Sequence, residues 1–192
     1  MKISSRKLEA KAVRKVAIIG SRGYPSFYGG FETAVRHVAP HLANLGWGVT
    51  VYGRKASTAE VTKTTDMRIR SVLVPCIESK SLSTLTSGFS SAVHCFFTKP
   101  DVALVLNVAN GFWLPLLKLR GIRAVVNVDG LEWKREKWGL PAKAIFFMGA
   151  KMVAMFADTI VCDARVLQKH WATNFKRDSV FIPYGGIIED QL

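Results

Sequence analysis

The sequence of 192 residues has few cysteines, few acidic residues and no long uninterrupted apolar run. Its three cysteines are far apart and form no CxxC pair, which argues against a zinc site or a disulfide scaffold and fits a reducing compartment. The longest apolar stretch, residues 140–157, is interrupted by Lys143 and Lys151, whereas a membrane-spanning helix needs about 20 mostly uncharged residues. We therefore predict that this stretch forms a buried helix.

Two familiar phosphate-binding motifs are also missing. There is no GxxxxGK[ST] segment, which argues against a P-loop NTPase. The first apolar run is followed by Gly20 and Gly23 but not by GxGxxG, and the second is followed by Arg54 where a nicotinamide-binding domain has an acidic residue. A nicotinamide-dependent dehydrogenase is therefore disfavoured.

Acidic residues are outnumbered, with 14 acidic against 27 basic residues and a net charge of +13. Such a surplus favours an anionic partner: a nucleotide, a nucleic acid or a membrane surface. No helix-turn-helix, zinc-finger or RNA-recognition signature is present, so we do not expect a nucleic-acid partner. The basic residues at the start of the chain precede no apolar core before Val16, so we interpret residues 1–13 as a flexible basic tail rather than a secretory signal. A cytoplasmic location is expected.

Short apolar runs alternate with segments of helical periodicity. The runs predict strands at residues 16–19, 49–52, 67–74, 102–106, 124–128, 159–162 and 180–182. Helices are predicted near residues 30–45, 81–98, 111–119, 141–157 and 164–173. This alternation predicts an α/β fold, a Rossmann-like parallel sheet of about seven strands with helices on both faces. No linker interrupts residues 14–186, so we expect a single domain there.

Polar residues follow the predicted strands, at the sheet edge where ligands bind in open parallel sheets. These residues include Arg22, Asn107, Asn110, Asp129, Glu132 and Asp163. The pair Gly29-Gly30 stands immediately before a helix, where close backbone approach and free N–H groups favour a phosphate or pyrophosphate. Spacing alone leaves open whether these glycines bind an anion or only make the turn into the helix.

Asp129 follows a mostly apolar strand and precedes Gly130, so its carboxylate should project at the same edge. There it could orient a sugar hydroxyl or act in acid–base chemistry; the alternative is an ordinary strand-to-loop turn. The nearby Trp133 and Trp138 are interspersed with basic residues, a composition that suits sugars, phosphates or a membrane interface, although a merely solvated charged face fits equally well.

A metal site is not expected from this sequence. His37 and His41 are four residues apart on a predicted helix, but no third ligand is evident. Ser21 and His94 are too weakly connected to suggest a nucleophilic triad. We therefore expect neither a metal nor another cofactor.

Three segments carry a resemblance to a known family. They are VAIIGSRGYPSFYGGFE at residues 16–32, NVDGLEWKREKW at residues 127–138 and FIPYGG at residues 181–186. These segments are similar to the motifs of bacterial rhamnosyltransferase-like glycosyltransferases, and the similarity extends over residues 14–186. The first two segments are long and rather specific.

This resemblance implies the N-terminal half of a retaining GT-B enzyme that transfers a sugar from a nucleotide-sugar to a glycan or lipid-linked acceptor. It places Gly29 and Gly30, with Arg22, near the donor pyrophosphate, and Asp129 beside the transferred sugar or the acceptor hydroxyl. Less specifically, the cleft would be lined by Tyr28, Glu32, Asn107, Asn110 and Glu132. Such enzymes build capsule, exopolysaccharide or cell-wall glycans, often at the inner membrane face, and the basic tail suits an anionic surface.

The sequence departs from the family at its end, because residues 187–192 would only begin the segment that leads to a second domain. Since the reacting atoms of a GT-B enzyme lie between two domains, the isolated chain is expected to be inactive without the missing C-terminal domain. The alternative is a non-catalytic module, derived from such an enzyme, that binds anions or a membrane.

Overall fold

The computed structural model describes residues 13–25, 29–54, 66–79 and 82–183. Within these residues seven strands form one sheet in which every pairing is parallel. The strands are β1 Lys15–Ile19, β2 Gly48–Arg54, β3 Ile69–Val74, β4 Val102–Leu106, β5 Arg123–Val128, β6 Thr159–Cys162 and β7 Val180–Phe181. Their order is β3-β2-β1-β4-β5-β6-β7, which is the Rossmann arrangement with one strand added. The predicted fold class is confirmed.

In the described part of the chain, five α-helices accompany the strands. They are α1 Gly30–Asn44, α2 Leu82–Thr98, α3 Leu114–Leu119, α4 Leu140–Phe156 and α5 Arg165–Phe175. Two short 3-10 segments, Val108–Trp113 and Glu132–Lys134, follow β4 and β5. Of the predicted domain boundaries, residues 1–12 of the tail and residues 184–192 lie outside the described residues.

The sheet is buried on both faces because successive side chains of each strand point to opposite sides. On β1, Ala17 and Ile19 contribute to one apolar cluster, while Val16 and Ile18 contribute to the other. Buried residues of α1 belong to the second cluster, and those of α2, α3, α4 and α5 to the first. Mostly apolar strands therefore form the middle layer of three.

Three predicted elements differ in detail. The helix expected at residues 111–119 is divided, because Asn107 has a positive φ of 70° and its side chain caps a 3-10 segment before α3 begins. The third strand begins at Ile69 rather than residue 67, since Asp66 accepts two hydrogen bonds from the Arg68 guanidinium and one from its amide. The last strand ends at Phe181.

Helix α4 is only partly buried, which corrects the prediction of a buried helix. Gly149, Ala150 and Val153 are buried against the 3-10 segment after β4, where a Cβ on Gly149 would lie 2.4 Å from the Val108 carbonyl oxygen. The opposite face exposes large apolar side chains, among them Leu140, Phe147, Met148 and Met155. A helix that is apolar all round cannot bury every side when only one faces the sheet. Within the described residues, no helix is both long and apolar enough to cross a membrane.

Candidate active site

A cleft of about 400 Å³ lies at the carboxyl edge of the sheet, between the loops that follow β1, β4 and β5. Five of the residues singled out in the sequence line it: Arg22, Gly30, Asn107, Asp129 and Glu132. Its apolar wall comes from Phe31 of α1, Leu85 of α2, Trp138 and the first turns of α4. The fold therefore brings together residues that lie up to 110 positions apart.

The glycine pair opens α1, and its two members have different roles. Gly29 has a φ of +107°, a backbone conformation that favours glycine, and a Cβ there would lie 2.5 Å from Oε2 of Glu32, which would have to shift. Its carbonyl oxygen accepts hydrogen bonds from the amide and hydroxyl of Thr33, at 3.1 and 3.0 Å. Gly30 has open space within 4 Å of the position a Cβ would take, so a ligand has room at this helix N-terminus.

Glu32 holds the loop after β1 in place. It is buried, and its Oε1 accepts a hydrogen bond from the Arg22 amide at 3.3 Å and lies 3.9 Å from the Arg22 Nε. Glu32 is absent from the cleft wall, so the structure places it behind the loop as a support. Tyr28 lies outside the described residues.

Asn110 lies beneath the cleft rather than in its wall. It is 1% exposed, and its Nδ2 donates to the Leu106 carbonyl oxygen at 2.7 Å. Helix α2 approaches so closely that a Cβ on Gly88 would lie 2.0 Å from the Asn110 Oδ1. Asn107, by contrast, lines the cleft, and its Oδ1 accepts from the Ala109 amide at 2.9 Å.

Asp129 is half-buried at the end of β5. The pKa of its carboxyl group is raised to about 6, first by burial and then by the Glu132 carboxylate, while Arg135 opposes the increase. Asp163, which follows the neighbouring strand β6, contributes a smaller increase. A carboxyl group in a cleft that titrates near neutrality has the properties of a hydrogen-bond acceptor or general base.

Glu132 clamps the loop that follows Asp129. One of its oxygens lies 2.9 Å from Arg135 Nε, and the other accepts from the Trp138 indole at 2.8 Å. Trp138 in turn packs against Phe146, with ring centroids 5.2 Å apart. Glu132 is therefore engaged through both oxygens, and it fixes Trp138 as an aromatic wall of the cleft.

The segment that contains Trp133, Trp138 and the basic residues between them divides into two parts. Trp138 and Lys137 line the cleft, with the Lys137 Nζ 4.9 Å from the indole centroid. Trp133 packs instead against Phe147 and Phe175, at centroid distances of 5.9 and 6.0 Å. Only the first part is available to a ligand in the cleft.

Arg54 is the residue that sequence reasoning missed. Its guanidinium reaches from the end of β2 to the first turn of α2, donating to Ser83 Oγ at 3.1 Å and to Thr84 Oγ1 at 3.0 Å. The sequence showed only that Arg54 stands where a dinucleotide-binding domain has an acidic residue. Its position at the carboxyl end of a strand was the available signal.

The two remaining polar candidates do not meet. Ser21 donates its hydroxyl hydrogen to the Tyr52 carbonyl oxygen, while the Nδ1 of His94 is 2.8 Å from the Tyr52 hydroxyl oxygen. In the part of the chain that the structure describes, no group of three His, Cys, Asp or Glu side chains is placed to hold a metal ion.

The fold, with this cleft at the carboxyl edge, defines a Rossmann-like domain of the kind found in GT-B glycosyltransferases. The chain belongs to the family described as "Domain of unknown function (DUF1972)", whose model matches residues 13–187. Among curated proteins none matches the sequence.

Glycosyltransferases are among the solved structures to which this chain is similar in fold. Sucrose-phosphate synthase from Thermosynechococcus elongatus matches 90% of this chain with a TM-score of 0.69 and 15% identity. UGT2 of Phytolacca americana, complexed with UDP-2-fluoro-glucose and pterostilbene, matches 93% of this chain with a TM-score of 0.63 and 10% identity. A UDP-glucosyltransferase from Polygonum tinctorium matches 92% of this chain with a TM-score of 0.61 and 11% identity. The chain spans about half the length of these matched chains, at 48%, 55% and 53%.

Proposed function

We propose that this chain is the acceptor-side domain of a retaining GT-B glycosyltransferase that transfers a hexosyl group from a nucleotide-sugar. Rhamnose is the first candidate sugar, and a glycan or lipid-linked acceptor in bacterial polysaccharide biosynthesis is the expected substrate. The proposal rests on the motifs of residues 16–32 and 127–138 and on the family of folds that the chain shares. A second domain would supply most of the donor site.

The observation that carries the proposal is the position of Asp129. Its carboxyl group opens into the same cleft as Gly30, and the pKa of about 6 leaves it mostly ionised at neutral pH. An acceptor hydroxyl in this cleft would donate a hydrogen bond to Asp129, while the donor phosphates would approach the N–H groups at the start of α1. Trp138 offers an aromatic face to a sugar ring.

Sugar transfer by the protein expressed from its full reading frame tests the proposal. The donors are a panel of UDP- and dTDP-sugars that includes dTDP-rhamnose, and the readout is release of the nucleoside diphosphate. We expect Asp129→Asn to lower kcat by about 100-fold, because the neutral amide no longer attracts the hydroxyl proton. Asp163→Asn, next to it on the sheet, is the matched control, with a smaller decrease. An active protein in which Asp129→Asn has no effect would refute the assignment.

A peripheral membrane contact is a second part of the proposal, and the exposed face of α4 favours it. Leu140, Met148 and Met155 follow one another along this face, with Lys151 between the two methionines; Leu140 is 82% and Met155 62% exposed. Apolar side chains with adjacent lysines are suited to a surface of anionic lipid. The same face would serve the alternative, a non-catalytic membrane-binding module located at the cytoplasmic face.

Flotation with phosphatidylglycerol-containing vesicles separates these possibilities. We expect the double variant Met148→Gln, Met155→Gln to lose most binding, because apolar area can no longer enter the interface. Val166→Gln on α5 is the control, since Val166 is more exposed than either methionine, at 78%, but lies on another helix. Equal loss in both variants, or no flotation at low salt, would remove the membrane contact from the proposal.

A further inference from the structure

A second cleft of about 660 Å³ adjoins the first, between the end of β2 and the start of α2. The two clefts share four lining residues: Arg22, Thr84, Lys137 and Trp138. Besides these shared residues, the second cleft is lined by Arg54 and the first turn of α2, which lie outside the motifs of the sequence. A ligand that enters one cleft can therefore extend into the other.

Arg54 is held in a fixed orientation at the wall of the second cleft. Two of its guanidinium nitrogens donate to the hydroxyls of Ser83 and Thr84, whereas its buried Nε has no acceptor among the residues that the structure describes. A buried N–H without an acceptor is costly, so its presence calls for an explanation. An anion in the cleft would lie against the accessible part of this guanidinium.

Three cations line the second cleft: Arg22, Arg54 and Lys137. Among the described residues Glu78 is the one carboxylate that lines this cleft, and its Oε1 accepts a hydrogen bond from the Cys76 thiol at 2.8 Å, while Glu32 behind the loop lies 3.9 Å from the Arg22 Nε. Burial lowers the pKa of Arg54, the neighbouring charge of Arg22 lowers it further, and Cys76, Glu78 and Glu32 oppose this decrease. Cations that repel one another across a cleft are stabilised when an anion binds between them.

The first turn of α2 adds to this positive field. Ser83 and Thr84 belong to this turn, and both line the cleft. Helix N-termini carry partial positive charge and favour anions. The helix end alone would not define a ligand, but here it adjoins an oriented guanidinium and a lysine.

We propose that the second cleft binds a phosphoryl group of the acceptor, with Arg54 and Lys137 as its main contacts. The acceptor's sugar ring would lie in the first cleft between Asp129 and Trp138, and its phosphoryl group would extend past Lys137 to Arg54. The identification of the ligand as the acceptor rests on the proposed function, but the existence of an anion site in this cleft does not. A soluble sugar phosphate and a phosphorylated lipid share this chemistry.

Calorimetric titration of the protein with glucose 6-phosphate, and with glucose as the uncharged comparison, tests the site directly. We expect Lys137→Gln to weaken binding of glucose 6-phosphate by about fivefold, the loss of one exposed phosphate contact. The matched control Lys169→Gln removes an exposed lysine of α5 and should leave the affinity unchanged. Equal affinities for glucose and glucose 6-phosphate would overturn the proposal.

Variants of Arg54 test the buried contact. Arg54→Gln should weaken binding more than Arg54→Lys, which keeps the charge but not the guanidinium geometry. Because Arg54 also joins β2 to α2, the thermal unfolding of each variant is measured beside its affinity. If Arg54→Gln unfolds, the exposed Lys137 variant still decides the question. Unchanged affinity in both Lys137→Gln and a folded Arg54→Gln would show that the phosphoryl group does not bind here.

Two further arms identify the source of the phosphoryl group. If UDP and glucose 6-phosphate bind together, the site is separate from the donor diphosphate, as proposed; mutual exclusion would assign the anion to the donor and overturn the proposal. Binding to phosphatidylcholine vesicles that contain phosphatidic acid, reduced by Lys137→Gln, would indicate a lipid-borne phosphate, whereas vesicle binding insensitive to Lys137→Gln indicates a soluble one. Transfer activity is measured separately, so a failed phosphate titration with intact transfer refutes only this inference.

Discussion

The two edges of the sheet differ in how completely their polar side chains are paired. At the amino edge, the Asp101 carboxylate accepts from the Lys15 amide at 2.7 Å, and the Asp158 carboxylate accepts from the Ala124 amide at 2.7 Å while pairing with Lys118. At the carboxyl edge, four buried side-chain atoms of the described residues have no partner: Arg54 Nε, Asn110 Oδ1, Asn127 Oδ1 and Asp163 Oδ1.

The pKa values of two aspartates express the same contrast. Burial alone would raise the pKa of Asp158, but hydrogen bonds from Lys118 and the Ala124 amide hold it below its usual value. For Asp129, burial and the neighbouring Glu132 raise the pKa to about 6. The amino edge thus uses charge to join strands, whereas the carboxyl edge keeps polar groups incompletely satisfied, as expected of a binding site that costs stability.

The largest expected effect concerns the pH dependence of stability. Because the folded-state pKa of Asp129 is raised from 3.8 to about 6, its protonated form favours folding, and this contribution is present below pH 3.8 and lost as the pH rises through 6. The free energy of unfolding of the wild type should therefore fall by about 3 kcal/mol relative to Asp129→Asn across this interval. Urea unfolding at several pH values measures it, and parallel curves would contradict it.

Close packing behind the cleft gives the next effect. A Cβ at Gly20, where φ is +99°, would lie 2.5 Å from the Leu106 carbonyl oxygen and 2.7 Å from the Asn110 Nδ2. We expect Gly20→Ala to lower the free energy of unfolding by about 2–3 kcal/mol. Gly46, with φ +81° and open space around it, is the matched control, and Gly46→Ala should cost about 1 kcal/mol. Equal losses would show that backbone strain alone sets the cost.

The pH dependence of transfer is a third test of the carboxyl edge. If ionised Asp129 accepts the hydrogen bond of the acceptor hydroxyl, kcat of the protein from the full reading frame should fall below pH 6, by about tenfold at pH 5. Asp158→Asn at the other edge should leave this profile unchanged. A rate that is level from pH 5 to pH 7 would remove the charge of Asp129 from the mechanism.

The smallest effect is expected at the amino edge. Asp158→Asn keeps the shape of the side chain but weakens its interactions with the Ala124 amide and Lys118, and should lower the free energy of unfolding by about 1 kcal/mol. The affinity for glucose 6-phosphate, which the carboxyl edge would bind, should not change. A weakened affinity would show that the two edges are coupled.

Most of the fold could be predicted from sequence because local signals agree with one another. The strands are short apolar runs, and such runs are typical of strands buried on both faces. The positions of Gly29, Gly30, Asn107 and Asp129 followed from the rule that ligands bind where parallel strands end. The predicted bounds of an element were wrong where the chain is capped or bent locally, as at the Asn107 cap that divides the predicted third helix.

The partners of polar side chains were not predictable in the same way. Arg54 donates to hydroxyls 29 and 30 residues further along the chain, and Asn110 packs on Gly88 of another helix. Glu32 and Glu132, predicted in the cleft, form interactions with Arg22 and with Arg135 and Trp138. No periodicity records such contacts, because they depend on how helices are placed over the sheet.

The sequence by itself determined the parallel sheet, the edge that carries the polar loops and the glycine turn into α1. Hydrophobic period, glycine and proline act locally, so they can be interpreted without the fold. Only the tertiary structure decided that Asn110 supports the cleft, that α4 exposes an apolar face and that Arg54 and Lys137 line the same second cleft. Burial and the spacing of charges are properties of packed elements, and they arise only when distant segments come together.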